Sequence, residues 1–151
     1  MIQKKLKLTI ELVPASAWSN NLRSLLKPQM WNDLRKSVYK RYHYKCAMCG
    51  SGGRLHAHEV WEYDDKKHIQ KLAEIIAPCS KCHAVKHIGL AGIQASEGKL
   101  NYDNLVKHFM KVNNCDRETF EKHRNDAFKK FEQQSKHEWS LDLSGYKNKL
   151  T

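Results

Sequence analysis

The sequence predicts an α+β fold: a small core of a hairpin and a helix, flanked by an N-terminal strand/helix segment and by C-terminal helices. Three observations carry the prediction. Leu6, Leu8, Ile10 and Leu12 alternate with polar residues, the period of a strand. Trp31, Leu34, Val38 and Tyr42 recur at spacings of three or four, the period of a helix. Two Cys-x-x-Cys pairs, Cys46/Cys49 and Cys79/Cys82, bracket a stretch with a glycine turn. The 151 residues fit one domain, 1–151, with the core at 31–92 and a C-terminal helical extension at 101–138.

Residues 4–13 read as a strand, rich in β-branched Thr9, Ile10 and Val13, and Pro14 ends it. Trp18, Leu22, Leu25 and Leu26 fit one face of a short helix in 15–26. Pro28 suits the first position of the next helix, which runs over 29–42. Residues 46–61 read as a hairpin, with Gly50, Gly52 and Gly53 supplying turn conformations. Residues 64–67 are a polar turn. A short helix is expected over 70–76, interrupted by Pro78, and another over 82–90. Gly89, Gly92 and Gly98 mark a loop. Leu105, Val106, Phe109 and Met110 form one apolar helix face. Asp116 is an N-cap for a longer helix carrying Phe120, Ala127, Phe128 and Phe131 as core residues. Trp139, Leu141 and Leu143 alternate, predicting a last short strand with the N-terminal strand as its candidate partner.

Charge gives the first functional indication. Lys+Arg number 27 against 16 Asp+Glu, a net +11 and a pI near 9.5. That balance favours a polyanion, nucleic acid before an acidic membrane surface. No membrane-spanning or secretory run is visible, because the apolar residues of the N-terminal stretch alternate. The cytoplasm is the expected compartment. Paired cysteines there point to metal or redox chemistry, since disulfides are disfavoured.

The pairs Cys46/Cys49 and Cys79/Cys82 each put two sulfurs on one tight turn. Together they can close a tetrahedral thiolate shell around a structural zinc ion. Cys115 stands apart as an ordinary thiol. Cys79-Ser-Lys-Cys82-His83 matches a haem-attachment pattern, but that chemistry requires export and ignores the other pair. A thioredoxin-like redox pair explains only one pair at a time. His58-Glu59-Val60-Trp61-Glu62 begins like a zinc-protease motif and lacks its second histidine.

His56, His58 and Glu59 follow the glycine turn. His83 comes directly after the fourth cysteine, and His87 lies one helical turn later, so the two share a helix face. Closing the knuckle draws the segment with His58 and Glu59 towards that helix and assembles a second, open metal site. His43, His68, His108, His123 and His137 receive no role. Arg35, Lys36, Lys40, Arg41, Lys81 and Lys86 are candidate phosphate contacts, which position a substrate without reading its sequence.

The run Cys46-x-x-Cys49, then Leu55-His56-Ala57-His58-Glu59-Val60-Trp61, then Cys79-x-x-Cys82-His83-x-x-x-His87 resembles the HNH endonuclease family with its ββα-metal fold. The resemblance covers roughly 31–92. The stretch 58–63, His-Glu-Val-Trp-Glu-Tyr, is similar to that of a phage and bacterial subgroup. The resemblance implies metal-dependent hydrolysis of DNA phosphodiester bonds, by nicking or cleavage. It places His58, His83 and His87 as ligands of a catalytic divalent ion (Mg, Mn, Ni or Zn), and Glu59 at the general-base position. Catalytic roles fall on Glu59, His58 and His83. Two departures stand out. Glu59 replaces the family's usual histidine base, so His58 is the alternative base, with His56 then supporting. The family's middle asparagine is missing before Cys79, leaving Gln70 and Glu74 as the polar stand-ins. The implied partners are DNA and a phage or bacterial DNA-processing protein. The rival reading is a catalytically weak or inactive zinc-binding module that binds DNA or a protein partner.

Overall fold

The computed structural model describes residues 5–144. Among them are six α-helices and a three-stranded sheet, so the fold is α+β. Lys4, the first residue of the predicted N-terminal strand, lies outside the described residues, as do the ends of the 1–151 domain.

The N-terminal segment keeps the predicted alternation but is not a strand. Leu8 and Ile10 are buried. Their backbone groups are met by side chains instead of a ladder. Asn113 Oδ1 accepts from Leu8 N–H and Asn113 Nδ2 donates to Leu8 O, both at 2.9 Å. His123 Nε2 accepts from Ile10 N–H at 2.9 Å, and Glu11 N–H donates to the Lys86 carbonyl. Buried backbone groups need partners, and a neighbouring strand is one way among several to supply them.

After a 3-10 turn at Ala15–Ala17 comes α1 (Leu22–Leu25), whose N-cap Asn21 accepts from Ser24 N–H. Helix α2 (Pro28–Arg41) begins on Pro28, as expected, and buries Leu34 and Val38. Residues 46–57 form the cysteine turn and a connection, with a single bridge from Leu55 to Cys79. The hairpin lies later than predicted. It pairs β1 (His58–Asp64) with β2 (Ile69–Ile76), antiparallel, around the predicted polar turn. Asp64 Oδ1 closes that turn by accepting from Lys66 and Lys67 N–H.

Strand β2 occupies the residues expected to be helical. The register explains why. Val60 faces Glu74 but Trp61 faces Leu72, so Ala73 is an extra residue on β2. Gln70 and Leu72 are buried, the alternation skips a step at Ala73, and Ile75 is buried again. A period of two with one inserted residue presents apolar side chains three apart, which mimics a helix.

Helices α3 (Ser80–Lys86) and α4 (Ile88–Ser96) meet at His87, whose φ −103° and ψ 49° break the helix. The predicted glycine loop is therefore mostly helix α4. Gly89 fits there against Leu12 and Phe128. Helix α5 (Tyr102–Asn113) buries Leu105, Val106 and Phe109. Helix α6 (Arg117–Gln134) starts at its predicted N-cap, where Asp116 accepts from Thr119 N–H. Strand β3 (Ser140–Asp142) forms as expected, but it pairs in parallel with β2 and not with the N-terminal segment.

Two apolar clusters result. One joins Leu8, Ile10, Val85, Ile88, Phe109 and Phe120 with Cys46, Cys79 and Cys82. The other joins Leu22, Leu34, Val38, Leu72, Ile75 and Ala77. Each fully buried Phe or Leu contributes roughly 1.5–3 kcal/mol. Leu55 packs against both clusters, and the segment after it carries the site between them.

Candidate functional site

The four cysteines come together. Their sulfurs lie within 4.8 Å of one another, and Cys49 Sγ is 3.7 Å from Cys79 Sγ. Two thiolates on one tetrahedral ion at about 2.3 Å sit roughly 3.8 Å apart, so the separation fits a shared zinc and not a disulfide. The turns are built for this. Gly50, at φ +75°, donates to the Cys46 carbonyl, and Cys46 N–H donates to Ser51 O. Backbone N–H groups of Met48 and Cys49 point at Cys46 Sγ, and that of Cys82 at Cys79 Sγ. His108 Nε2, on α5, lies 3.1 Å from Cys82 Sγ. Burial and the neighbouring cysteines push the Cys82 thiol up. Burial acts the same way on Cys49, but Ser51 and the adjacent sulfurs outweigh it and hold that thiol down at about 7. A metal ion is what allows all four to ionise together.

The second cluster is made of His58 at the start of β1, His83 on α3 and His87 at the break after α3. Their ligand atoms lie within 4.8 Å of one another. Ring centroids are 5.4 Å apart for His58 and His83, 5.0 Å for His58 and His87, and 4.7 Å for His83 and His87. His87 N–H still donates to the His83 carbonyl, so the one-turn spacing survives the helix break. Burial lowers the pKa of His83 to about 3 and of His87 to about 4, reinforced by the neighbouring histidines and Lys86. Both are neutral near pH 7 and can offer a lone pair to a cation. His58 is buried, and its Nε2 has no hydrogen-bond partner. Three converging imidazoles, with His83 and His87 neutral, form a donor set that fits a divalent ion.

These histidines open onto a cleft of about 680 Å³ whose lining includes Arg23, Asn32, Arg35, Arg54, His56 and Glu59. His56 stacks on His83 at 4.7 Å and pairs with Ser80 Oγ at 3.1 Å, a supporting position. Glu59 reaches the cleft, but its Oε1 accepts from Leu22 N–H at 2.9 Å. Burial raises its pKa, only partly offset by Leu22 and His58.

The basic candidates separate. Arg35 lines the cleft, steadied by Asn32 Oδ1 at 3.0 Å. Lys36, Lys40 and Lys81 are exposed, and Lys81 lies beside the knuckle. Arg41 is drawn back onto the Ile75 carbonyl and the Tyr42 ring. Lys86 has to be withdrawn as a phosphate contact: it is 3% exposed and its ammonium is held by Glu11. The stand-ins for the middle asparagine also fall away. Gln70 is buried against Asn20 and Tyr63, Glu74 is exposed across from Val60, and neither lines the cleft.

Several site residues were invisible to motif reading. Arg23 and Arg54 stand outside the helix read as basic. Glu11, 3.6 Å from His58 Nε2, comes from the N-terminal segment. Burial works to raise the pKa of Glu11, but His58 and Lys86 prevail and hold it at about 2. His108 reaches the knuckle from α5. Only the tertiary fold brings these residues in. Among the described residues, no helix is long and apolar enough to cross a membrane. Comparison with protein-family models, with curated proteins and with solved structures finds no match.

Proposed function

We propose that this chain is a metal-dependent endonuclease of the HNH type, hydrolysing DNA phosphodiester bonds, with β1, β2 and α3 as its ββα-metal core. One observation carries the reading: His58, His83 and His87 converge beside Glu59 on a cleft lined by Arg23, Arg35 and Arg54. A structural zinc in the four-cysteine knuckle fixes Cys82, and with it His83, the next residue. A catalytic divalent ion (Mg, Mn, Ni or Zn) bound by the three histidines supplies charge stabilisation at the scissile phosphate and the leaving oxygen.

The protein's own groups do the rest. Arg23, Arg35 and Arg54 receive the phosphate backbone without reading bases. Glu59 Oε1 is anchored by Leu22, which leaves the other carboxylate oxygen to take a proton from the attacking water. Burial works to raise its pKa, and a cation held beside it would act the other way. His58 is the alternative base, and its place among the three converging rings argues for Glu59. A phage or bacterial DNA-processing machine is the natural setting for such a small nicking or cleaving module.

The second reading, a weak or inactive zinc-binding HNH-like module that binds DNA or a protein partner, is favoured by one fact. The Glu59 carboxylate already serves α1. A supercoiled-plasmid assay with Mg²⁺, Mn²⁺, Ni²⁺ or Zn²⁺ separates the two. The wild type relaxes or linearises the plasmid with at least one ion. His83→Ala is slower by more than the roughly 10–100-fold typical of losing a partner behind a ligand. Absence of cleavage by the wild type with every ion would sink the nuclease reading.

A further inference from the structure

Glu11 lies far upstream of the histidine cluster in sequence, yet its carboxylate stands against it. The backbone fixes its place. Glu11 N–H donates to Lys86 O at 3.0 Å, while Ile10 N–H is taken by His123. Oε2 accepts from Lys86 Nζ and lies 3.3 Å from Thr9 Oγ1. Oε1 is turned the other way, 3.6 Å from Nε2 of His58. That nitrogen belongs to a ring 4% exposed and has no hydrogen-bond partner. The Lys86 ammonium is placed on Glu11 Oε2 and near the Thr9 carbonyl, not on the ring. A carboxylate needed merely to neutralise Lys86 has no reason to direct its other oxygen at His58.

We propose that Glu11 is the positioning carboxylate of the three-histidine site: Oε1 accepts the Nε2–H of His58, leaving Nδ1 of that ring as the nitrogen for the ion. Metal-ligating histidines generally give their second ring N–H to such a partner, which fixes tautomer and orientation and strengthens the ligand. The N-terminal segment is then part of the metal site and not only a cover for the core. This inference rests on reading the histidine cluster as an ion site.

The test uses full-length protein with zinc in the four-cysteine knuckle, titrated with Ni²⁺ by calorimetry. Two double variants are compared, Glu11→Gln with Lys86→Met and Glu11→Ala with Lys86→Met. Both remove the Glu11–Lys86 ion pair, and they differ in whether an acceptor faces His58. The alanine version is expected to bind Ni²⁺ about 10-fold more weakly or worse, within the roughly 10–100-fold range for such partners. Long-range ¹H–¹⁵N spectra of the nickel-free wild type should show His58 as the Nε2–H tautomer. Equal Ni²⁺ affinity in the two double variants, or an Nδ1–H tautomer in the wild type, overturns the role of Glu11 and leaves the ion site standing. A zinc-loaded wild type that takes up no Ni²⁺ overturns both. The tautomer measurement decides the matter even if the variants fail to fold.

Discussion

Cys82 and His83 are adjacent residues on one helix, yet they belong to sites built on different principles. The knuckle takes its four sulfurs from two local turns. Three of its cysteines, Cys46, Cys79 and Cys82, are packed into an apolar cluster with Phe109 and Phe120. The histidine cluster draws on β1, on α3 and on the break after α3, and two of its three rings are only half-buried at a cleft. The first site is part of what folds the chain. The second is carried by the fold and opens onto a cleft lined by Arg23, Arg35 and Arg54. One helical step separates the two clusters.

The largest expected effect tests that division. Binding of a structural zinc is itself folding free energy, on the order of 10 kcal/mol, comparable with the whole stability of a domain, about 5–15 kcal/mol. Cys82→Ser, or zinc removal by a strong chelator, should abolish the cooperative thermal transition followed by circular dichroism. His83→Ala should keep that transition within a few degrees. A Cys82→Ser chain that melts like the wild type would erase the distinction between the two regions.

The same contrast explains what could be read in the sequence. Cys46, Cys49, Cys79 and Cys82 are legible because Cys-x-x-Cys encodes its own turn. His83 and His87 are legible because one helical turn is a local spacing. Asp116, Pro28 and the 64–67 turn were found for the same reason, since caps and turns are short-range chemistry. Long-range choices were not legible. The 70–76 segment looked helical because the bulge at Ala73 broke its alternation, and only pairing with β1 reveals the strand. Residues 5–13 show the expected burial pattern but a different partner, since nothing local announces that Asn113 and His123 will take the place of a neighbouring strand. Glu11, Arg23 and Arg54 reach the site only through tertiary structure. Lys86 looked like one more surface cation until burial paired it with Glu11.

A smaller effect probes whether the chemical region borrows from the structural one. Glu59 both reaches the cleft and holds Leu22 N–H. Glu59→Gln keeps an oxygen for Leu22 but cannot act as a base. Its stability should stay within about 0.5 kcal/mol of wild type, while plasmid cleavage falls by about 100-fold or more. Glu59→Ala should lose the same activity and about 1 kcal/mol besides, from the abandoned N–H. Full cleavage by Glu59→Gln would make the residue purely structural and shift the base to His58.

The smallest effect concerns the ground between the two regions. Arg54 lines the histidine cleft, and it also lines a groove beside the knuckle with Lys81, His108 and Lys111. Arg54 therefore links a line of cationic side chains from the histidine cleft to the groove beside the cysteine knuckle. A DNA backbone following it would contact both. Each lost phosphate contact lowers the slope of log affinity against log salt by about one. Fluorescence anisotropy over a salt series should show that decrease for Arg54→Ala and again for Lys81→Ala. Arg41→Ala should leave the slope unchanged, because its guanidinium is occupied by the Ile75 carbonyl. If Lys81→Ala also leaves it unchanged, the DNA path is confined to the histidine cleft. The knuckle then contributes structure alone, and the boundary between the two sites falls between Cys82 and His83.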